Sequence, residues 1–349
     1  MIDRKSFEKR WIESIEGVVD FGGRLVVERT IHAFYLLQKV AKSRLDGKFL
    51  FKGGTAVMLL FQKPRRFSVD IDLLVDPSME EKLPSIVSSF KDEVFVRVEE
   101  DIRKPSPVRK RHFKFYYRSC IDATGDDKYV LLDVVFGDSA YRRVEERKIE
   151  FPWLLTTEPL KEVPVPSPSD LLGDKLCAFA PHTVGVLFAD GKDVETIKQL
   201  FDVARLLEHP EIDGAIAFDV YEKLVSEQAL ARGLKLKTED AMDDALEMCR
   251  LIISQGKRSG GAEDYSHLLR GFASFHSFLP GKYTEIDWLR DAALVYSFLA
   301  KRRYVQKTST PASNNGTFVG RRYRLLRLAL KEGISDFMVV VANDPKARQ

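Results

Sequence analysis

Cysteine is scarce: Cys120, Cys177 and Cys249 are the only three in 349 residues. They lie far apart and odd in number, with no CxxC spacing and no neighbouring histidine to complete a zinc set. Neither a disulfide framework nor a structural zinc site is expected, and a reducing compartment is the simple reading. Long apolar runs are lacking too. None approaches the ~20 residues that span a bilayer, and Met1-Ile2-Asp3-Arg4-Lys5 leads straight into charge rather than into a secretory leader. A cytoplasmic protein with no membrane partner is expected. Charge of one sign is also nearly missing, with 55 basic against 52 acidic residues and a net charge of +3. That rules against a protein gripping nucleic acid with its whole surface and leaves only local contacts. What is present, 44% apolar and 31% charged residues, is the composition of an ordinary globular protein. A chain this long is expected to form two domains.

Two local basic stretches stand out. One joins Arg103-Lys104 to Arg109-Lys110-Arg111-His112-Phe113-Lys114, and the other joins Arg321-Arg322-Tyr323 to Arg324 and Arg327. Each is either a nucleic-acid contact or a solvated face. The first part of the chain reads as packing helices, with Phe7, Trp11 and Ile15 at a spacing of four and a long apolar-periodic segment over 26–45. From Lys48 the pattern changes to short apolar runs or a period of two. Strands are expected at 49–52, 68–75, 94–98, 111–118 and 129–136, with helices at 55–61 and 79–90. Alternating prolines in Val163-Pro164-Val165-Pro166-Ser167-Pro168 predict an extended connector, followed by a helix capped by Ser167 with Pro168 in its first turn. Helical patterns then fill 194–207, 221–231, 238–254, 265–278 and 287–303, and a short strand is expected at 337–341. The fold class expected is α+β, a partly antiparallel mixed-sheet domain over 1–165 followed by a mainly α-helical domain over 166–349.

The richest constellation begins at Lys52-Gly53-Gly54-Thr55, where a strand ends and a helix begins. Adjacent glycines allow positive φ and bring backbone N–H groups close to an anion. A plain strand-to-helix turn explains the pair equally well when it is taken alone. Ser68-Val69-Asp70-Ile71-Asp72-Leu73-Leu74-Val75 changes that balance. In a strand Asp70 and Asp72 share one face while Val69, Ile71, Leu73 and Val75 fill the other. Two carboxylates side by side suit a divalent cation such as Mg²⁺, or Mn²⁺ in its place, unless the strand is simply a wet edge. A third carboxylate, Asp133, interrupts the apolar run 129–136. It either joins the metal site and draws a proton from an attacking hydroxyl, or pairs with an arginine such as Arg142 or Arg143. Lys175, on a segment whose Leu171, Leu172, Leu176 and Phe179 are apolar, either aims into a cleft or snorkels.

Gly-Gly-Thr, a short helix, Ser-x-Asp-x-Asp and a later Asp resemble the nucleotidyltransferase fold. With Arg66 and Ser68 leading into Asp70 and Asp72, the spacing is most similar to the AbiEii/AbiGii toxins, the nucleotidyltransferase toxins of bacterial toxin–antitoxin systems that include the MenT group. Asp174-Lys175 matches a further family motif, and Lys198-Gln199-Leu200-Phe201-Asp202-Val203 a last one, in which Gln199 stands for an acid and Phe201 for a tyrosine. The resemblance covers about 48–207. It implies that Lys52, Gly53, Gly54, Thr55, Arg66 and Ser68 hold nucleotide phosphates and that Asp70, Asp72 and Asp133 bind Mg²⁺. It implies further that Lys175 neutralises triphosphate charge and that Asp202 belongs to the last motif. An NTP, the 3′ end of tRNA and a cognate antitoxin are the implied partners. A small-molecule or protein acceptor, or a catalytically idle partner-binding module, are the competing readings.

Overall fold

Alternation of buried and half-exposed residues along the strands organises the first part of the chain into one five-stranded mixed sheet. Its strands are β1 (Phe49–Lys52), β2 (Ile71–Val75), β3 (Arg97–Glu100), β4 (Lys110–Arg118) and β5 (Asp127–Phe136), in the spatial order β1-β2-β5-β4-β3. Only the β2–β5 pair is parallel. The computed structural model describes residues 1–15, 21–45, 47–61, 65–103, 108–257 and 259–308. Lys104, the basic cluster beginning at Arg321 and the strand expected at 337–341 lie outside the described residues.

The chain divides into two compact units, 1–171 with 277–281, and 172–276 with the described residues from 282 onward. In the first unit the sheet is accompanied by α1 (Lys9–Ser14), α2 (Phe21–Ala41), α3 (Gly53–Leu59) and α4 (Leu83–Ser88). Ile71, Leu73, Val130, Leu132 and Val134 are fully buried at 0% exposure on the covered face of β2 and β5. At ~1.5–3 kcal/mol for each fully buried aliphatic side chain, that face holds the register firmly, because a one-residue slip would expose all five.

Boundaries differ from expectation where local hydrogen bonds outcompete the ladder. The β2 strand begins at Ile71 rather than Ser68, because β5 first pairs with it there and β1 ends opposite Asp72, where the chain turns into α3. The β3 strand starts at Arg97 rather than Val94, because the Asp92 carboxylate accepts the backbone N–H groups of Val94 and Phe95 at 2.9 Å and holds that segment in a turn. The proline-rich connector is itself a strand, β7 (Glu162–Pro166), paired antiparallel with an unexpected β6 (Val144–Lys148). Ile149 N donates to Lys161 O and Ser167 N to Arg143 O. Odd-numbered residues therefore face β6, while Pro164 and Pro166, which have no N–H to give, face away.

The helix α5 (Pro168–Ala178) starts where Ser167 caps it: the Asp170 N–H donates to Ser167 Oγ at 3.3 Å. Buried Asp170 also accepts the backbone N–H groups of Arg142 and Arg143. The second unit is helical throughout its described residues, with α6 (Asp193–Leu207), α7 (Gly214–Ala231), α8 (Thr238–Ile253), α9 (Ala262–Phe275) and α10 (Glu285–Thr308). A mixed sheet followed by a mainly helical region is the α+β architecture expected. No helix among the described residues is long and apolar enough to cross a membrane.

In the first unit His32 of α2 is stacked on Tyr117 of β4, ring centroids 3.6 Å apart, and its Nδ1–H donates to Glu28 O at 2.8 Å. Burial pushes the imidazole down to about 4. Since the folded value lies below the unfolded 6.5, folded and unfolded forms are both neutral above pH 6.5. Below it only the unfolded chain takes up the proton, so stability is lost between pH 6.5 and 4. About 3 kcal/mol should disappear across that window. In urea denaturation at pH 7 and pH 4.5, His32→Leu should lose markedly less stability on acidification than the wild type; equal losses would refute a neutral buried His32.

Candidate active site

The turn from β1 into α3 is built around two close approaches. Gly53 has φ 79°, and a Cβ there would stand 2.0 Å from Asp72 Oδ2. A Cβ on Gly54 would stand 2.5 Å from Arg66 Nη2 and 2.7 Å from Ser68 Oγ. The glycines therefore let the turn lie directly against the motif's carboxylate, arginine and serine. Thr55 is fully buried and its hydroxyl donates to Asp70 O at 2.6 Å, tying α3 to the chain that leads into β2. Buried Arg66 donates from Nη1 to Phe67 O at 2.9 Å.

Register places the charged residues in one row across four strands: Lys52 lies opposite Asp72, Asp72 opposite Asp133, and Asp133 opposite His112. Asp70 and Asp72 are half-exposed while Val69, Ile71, Leu73 and Val75 are buried, so the two carboxylates do share a face, with Asp70 one residue ahead of the paired strand. Each end of the acidic group has a cationic or hydrogen-bonding neighbour. Arg29 of α2 reaches Asp70 Oδ1 at 3.1 Å, and His112 Nδ1 lies 2.7 Å from Asp133 Oδ1 with Arg103 Nη2 at 3.8 Å. Asp133 thus does have an arginine near it, Arg103. Among the described residues no three carboxylate, imidazole or thiolate groups converge enough to hold a metal as they stand. Asp70 is engaged by Arg29 and Asp133 by His112, while the hard carboxylate oxygens gathered on this face are of the kind that suits a divalent cation such as Mg²⁺.

Lys175 and Asp202 come together in the second unit. Lys175 Nζ lies 3.3 Å from Asp202 Oδ2 and donates to Gln199 Oε1 at 3.1 Å, with the lysine and aspartate side chains 7% and 2% exposed. Lys175 is neither a snorkelling stem nor an open cation but half of a buried ion pair. Gln199, a departure from the family pattern, supplies a neutral acceptor to the same ammonium.

The basic stretch before and along β4 is largely neutralised. Arg109 pairs with Glu80, Arg111 with Glu100 at 2.7 Å, and Lys114 and Arg103 both with Asp101 at 2.8 Å. Those two cations hold the Asp101 carboxyl below its ordinary range. The roles of two neighbours of the acids are not legible in the sequence. His112 reads there as one member of a basic run, although the period-two pattern puts it on a different face from Arg111. Arg29 carries no signal, since only the packing of α2 brings it to Asp70.

Two measurements check this geometry. Gly125 has φ 81° with nothing within 4 Å of where a Cβ would stand, so Gly125→Ala should cost only the left-handed strain, about 1 kcal/mol. Gly53→Ala adds a collision with Asp72 and should cost about 3 kcal/mol by urea denaturation; equal costs would show that the carboxylate moves freely aside. Asp202→Asn should cost about 3 kcal/mol by leaving Lys175 buried without its counter-charge, and no loss would mean that the lysine is solvated.

Residues 35–288, well over half of the chain, match the family described as Nucleotidyl transferase AbiEii toxin, Type IV TA system. No curated protein matches. Among solved structures, the crystal structure of JHP933 from Helicobacter pylori is similar at 15% identity and a TM-score of 0.42, over 80% of this chain and 97% of that one. The match runs across the sheet and through the helices α5 to α9, and makes the chain a member of the AbiEii nucleotidyl transferase toxin family of type IV toxin–antitoxin systems.

Proposed function

We propose that this nucleotidyl transferase moves a nucleoside monophosphate from an NTP to the 3′ end of an RNA, the acceptor end of tRNA, and so blocks translation until a cognate antitoxin restrains it. The observation that carries the reading is the alignment of Asp72 with Asp133 on parallel strands, with Asp70 on the same face and the Gly53-Gly54 turn against Asp72. Carboxylates on one side and a close-approach turn on the other are what phosphoryl chemistry requires: charge placed around the reacting phosphate and little else.

Mg²⁺, or Mn²⁺ in its place, would be held by Asp70, Asp72 and Asp133, and when bound it supplies positive charge to the attacking and leaving oxygens. Backbone N–H groups of Gly53 and Gly54, with Lys52, Ser68 and Arg66 beside them, hold the phosphates. Thr55 serves them indirectly by fixing α3 to the strand. Asp133 takes the proton of the attacking hydroxyl, oriented by His112 on its Oδ1. Pyrophosphate leaves on the side of the glycine turn.

A second reading, transfer to a small molecule or a protein side chain, draws on the pairing of Arg109, Arg111 and Lys114 with carboxylates, which leaves little free positive charge for a phosphate backbone. Incubation of the protein with Mg²⁺, each α-labelled NTP in turn and total tRNA separates the two. Label should enter tRNA with at least one NTP and fall by at least about 100-fold in Asp70→Ala and Asp133→Ala. Label that enters protein or a small acceptor instead, or that persists in both variants, would overturn the RNA reading.

A further inference from the structure

The face of the sheet that carries the carboxylates continues past them into an aromatic surface with no part in the chemistry above. Along β5, Tyr129 and Asp133 have the same parity and so share a face; across to β4, Tyr129 lies opposite Tyr116, and Tyr116 opposite Arg97 of β3. The two tyrosine rings are 5.7 Å apart at 60°, and Tyr129 is 37% exposed. The Arg97 guanidinium lies 3.5 Å from the Tyr116 centroid, and Arg29 and Lys114 each lie 5.3 Å from that of Tyr129. Arg29 also holds Asp70, so one guanidinium links this surface to the carboxylates.

We infer that Tyr129, with Tyr116 beside it, stacks the terminal bases of a single-stranded nucleic-acid acceptor and delivers its 3′ hydroxyl to Asp133. The inference rests on the RNA-acceptor reading and names the subsite for it. In-line transfer fixes the direction of approach. With the triphosphate on the β1 and α3 side of Asp72 and pyrophosphate leaving there, the hydroxyl must arrive from the opposite side, over β5 and β4, where the tyrosines are. Along the strand Tyr129 is four residues from Asp133, roughly 13 Å, a span of about two to four nucleotides.

Local charge decides which interaction holds the strand. Arg97 pairs with Glu99 and Asp127, Lys114 with Asp101, and Arg29 with Asp70. With each cation already facing a carboxylate, the patch is a poor phosphate grip. What it offers instead is the exposed part of the Tyr129 ring and the guanidinium planes of Arg29 and Arg97 beside the two tyrosines, surfaces that stack a nucleobase whatever its identity. Binding here is therefore weakly dependent on salt and tolerant of sequence.

The test uses the full chain with Mg²⁺, the preferred NTP and a single-stranded RNA oligonucleotide. Tyr129→Val keeps a strand-forming residue and removes the ring. It should raise the KM for RNA by about 10-fold while the KM for NTP and the slope of log KM against log salt stay at wild-type values, and Tyr129→Trp should restore the wild-type KM. Tyr116→Val should act in the same direction and serves as the second variant if Tyr129→Val melts early. Wild-type labelling of RNA with an unchanged RNA KM in both valine variants would overturn the platform and leave the acceptor reading intact. A rise in the NTP KM instead would also overturn it, since the ring would then hold the incoming nucleotide. A wild-type protein that labels no RNA removes the acceptor reading and the platform with it.

Discussion

Two aspartates held side by side on neighbouring parallel strands are the constraint around which the first unit is arranged. Asp72 and Asp133 occupy the same register position on β2 and β5, and strands ~4.8 Å apart leave their charges close together. Repulsion at that distance is about 1 kcal/mol in water and about 3 kcal/mol in a surface environment of intermediate dielectric. Burial of Ile71, Leu73, Val130, Leu132 and Val134 on the opposite face stabilises the same register by several times as much. The sheet therefore holds the acids together whether or not a cation lies between them. Lys52 and His112, at the two ends of the row, bring positive or hydrogen-bonding character to its flanks.

Because one face fixes the register, the other is free to carry function. The turn at Gly53-Gly54 can touch Asp72 and Arg66 only because no Cβ intervenes. Thr55 binds the helix back to the chain before β2, and Arg29 ties α2 to Asp70. Two elements distant in sequence, the turn into α3 and the helix α2, thus meet the same short segment from Arg66 to Asp72. The charge around it is nearly balanced, which favours the proposed recognition of an acceptor by ring faces over a field of free cations.

The second unit handles its own buried charge by pairing. Lys175 is surrounded by Asp202 and Gln199, and Arg205 by Asp291, whose carboxyl burial pushes up to about 6 although Arg205 opposes the shift. Tyr283 donates to the same carboxylate at 2.7 Å. Such pairs are costly to break from one side even where they add little net stability.

Local rules on their own determined a good deal of this protein. The Ser167 cap with Pro168 marked the start of α5, alternation marked β2, β4 and β5, and Gly-Gly-Thr with Ser-x-Asp-x-Asp carried the family resemblance, because each depends on backbone sterics or side-chain parity within a few residues. Tertiary structure decided what depends on partners. It made a strand of the proline connector by pairing it with β6, shortened β2 to begin after Asp70, and spent the basic stretch on Glu80, Glu100 and Asp101. It also brought Arg29 to Asp70 and set His112 against Asp133. Neither pairing follows from spacing along the chain, because which charges meet is fixed by strand order and helix packing, and those are settled by the apolar faces rather than by the charges themselves.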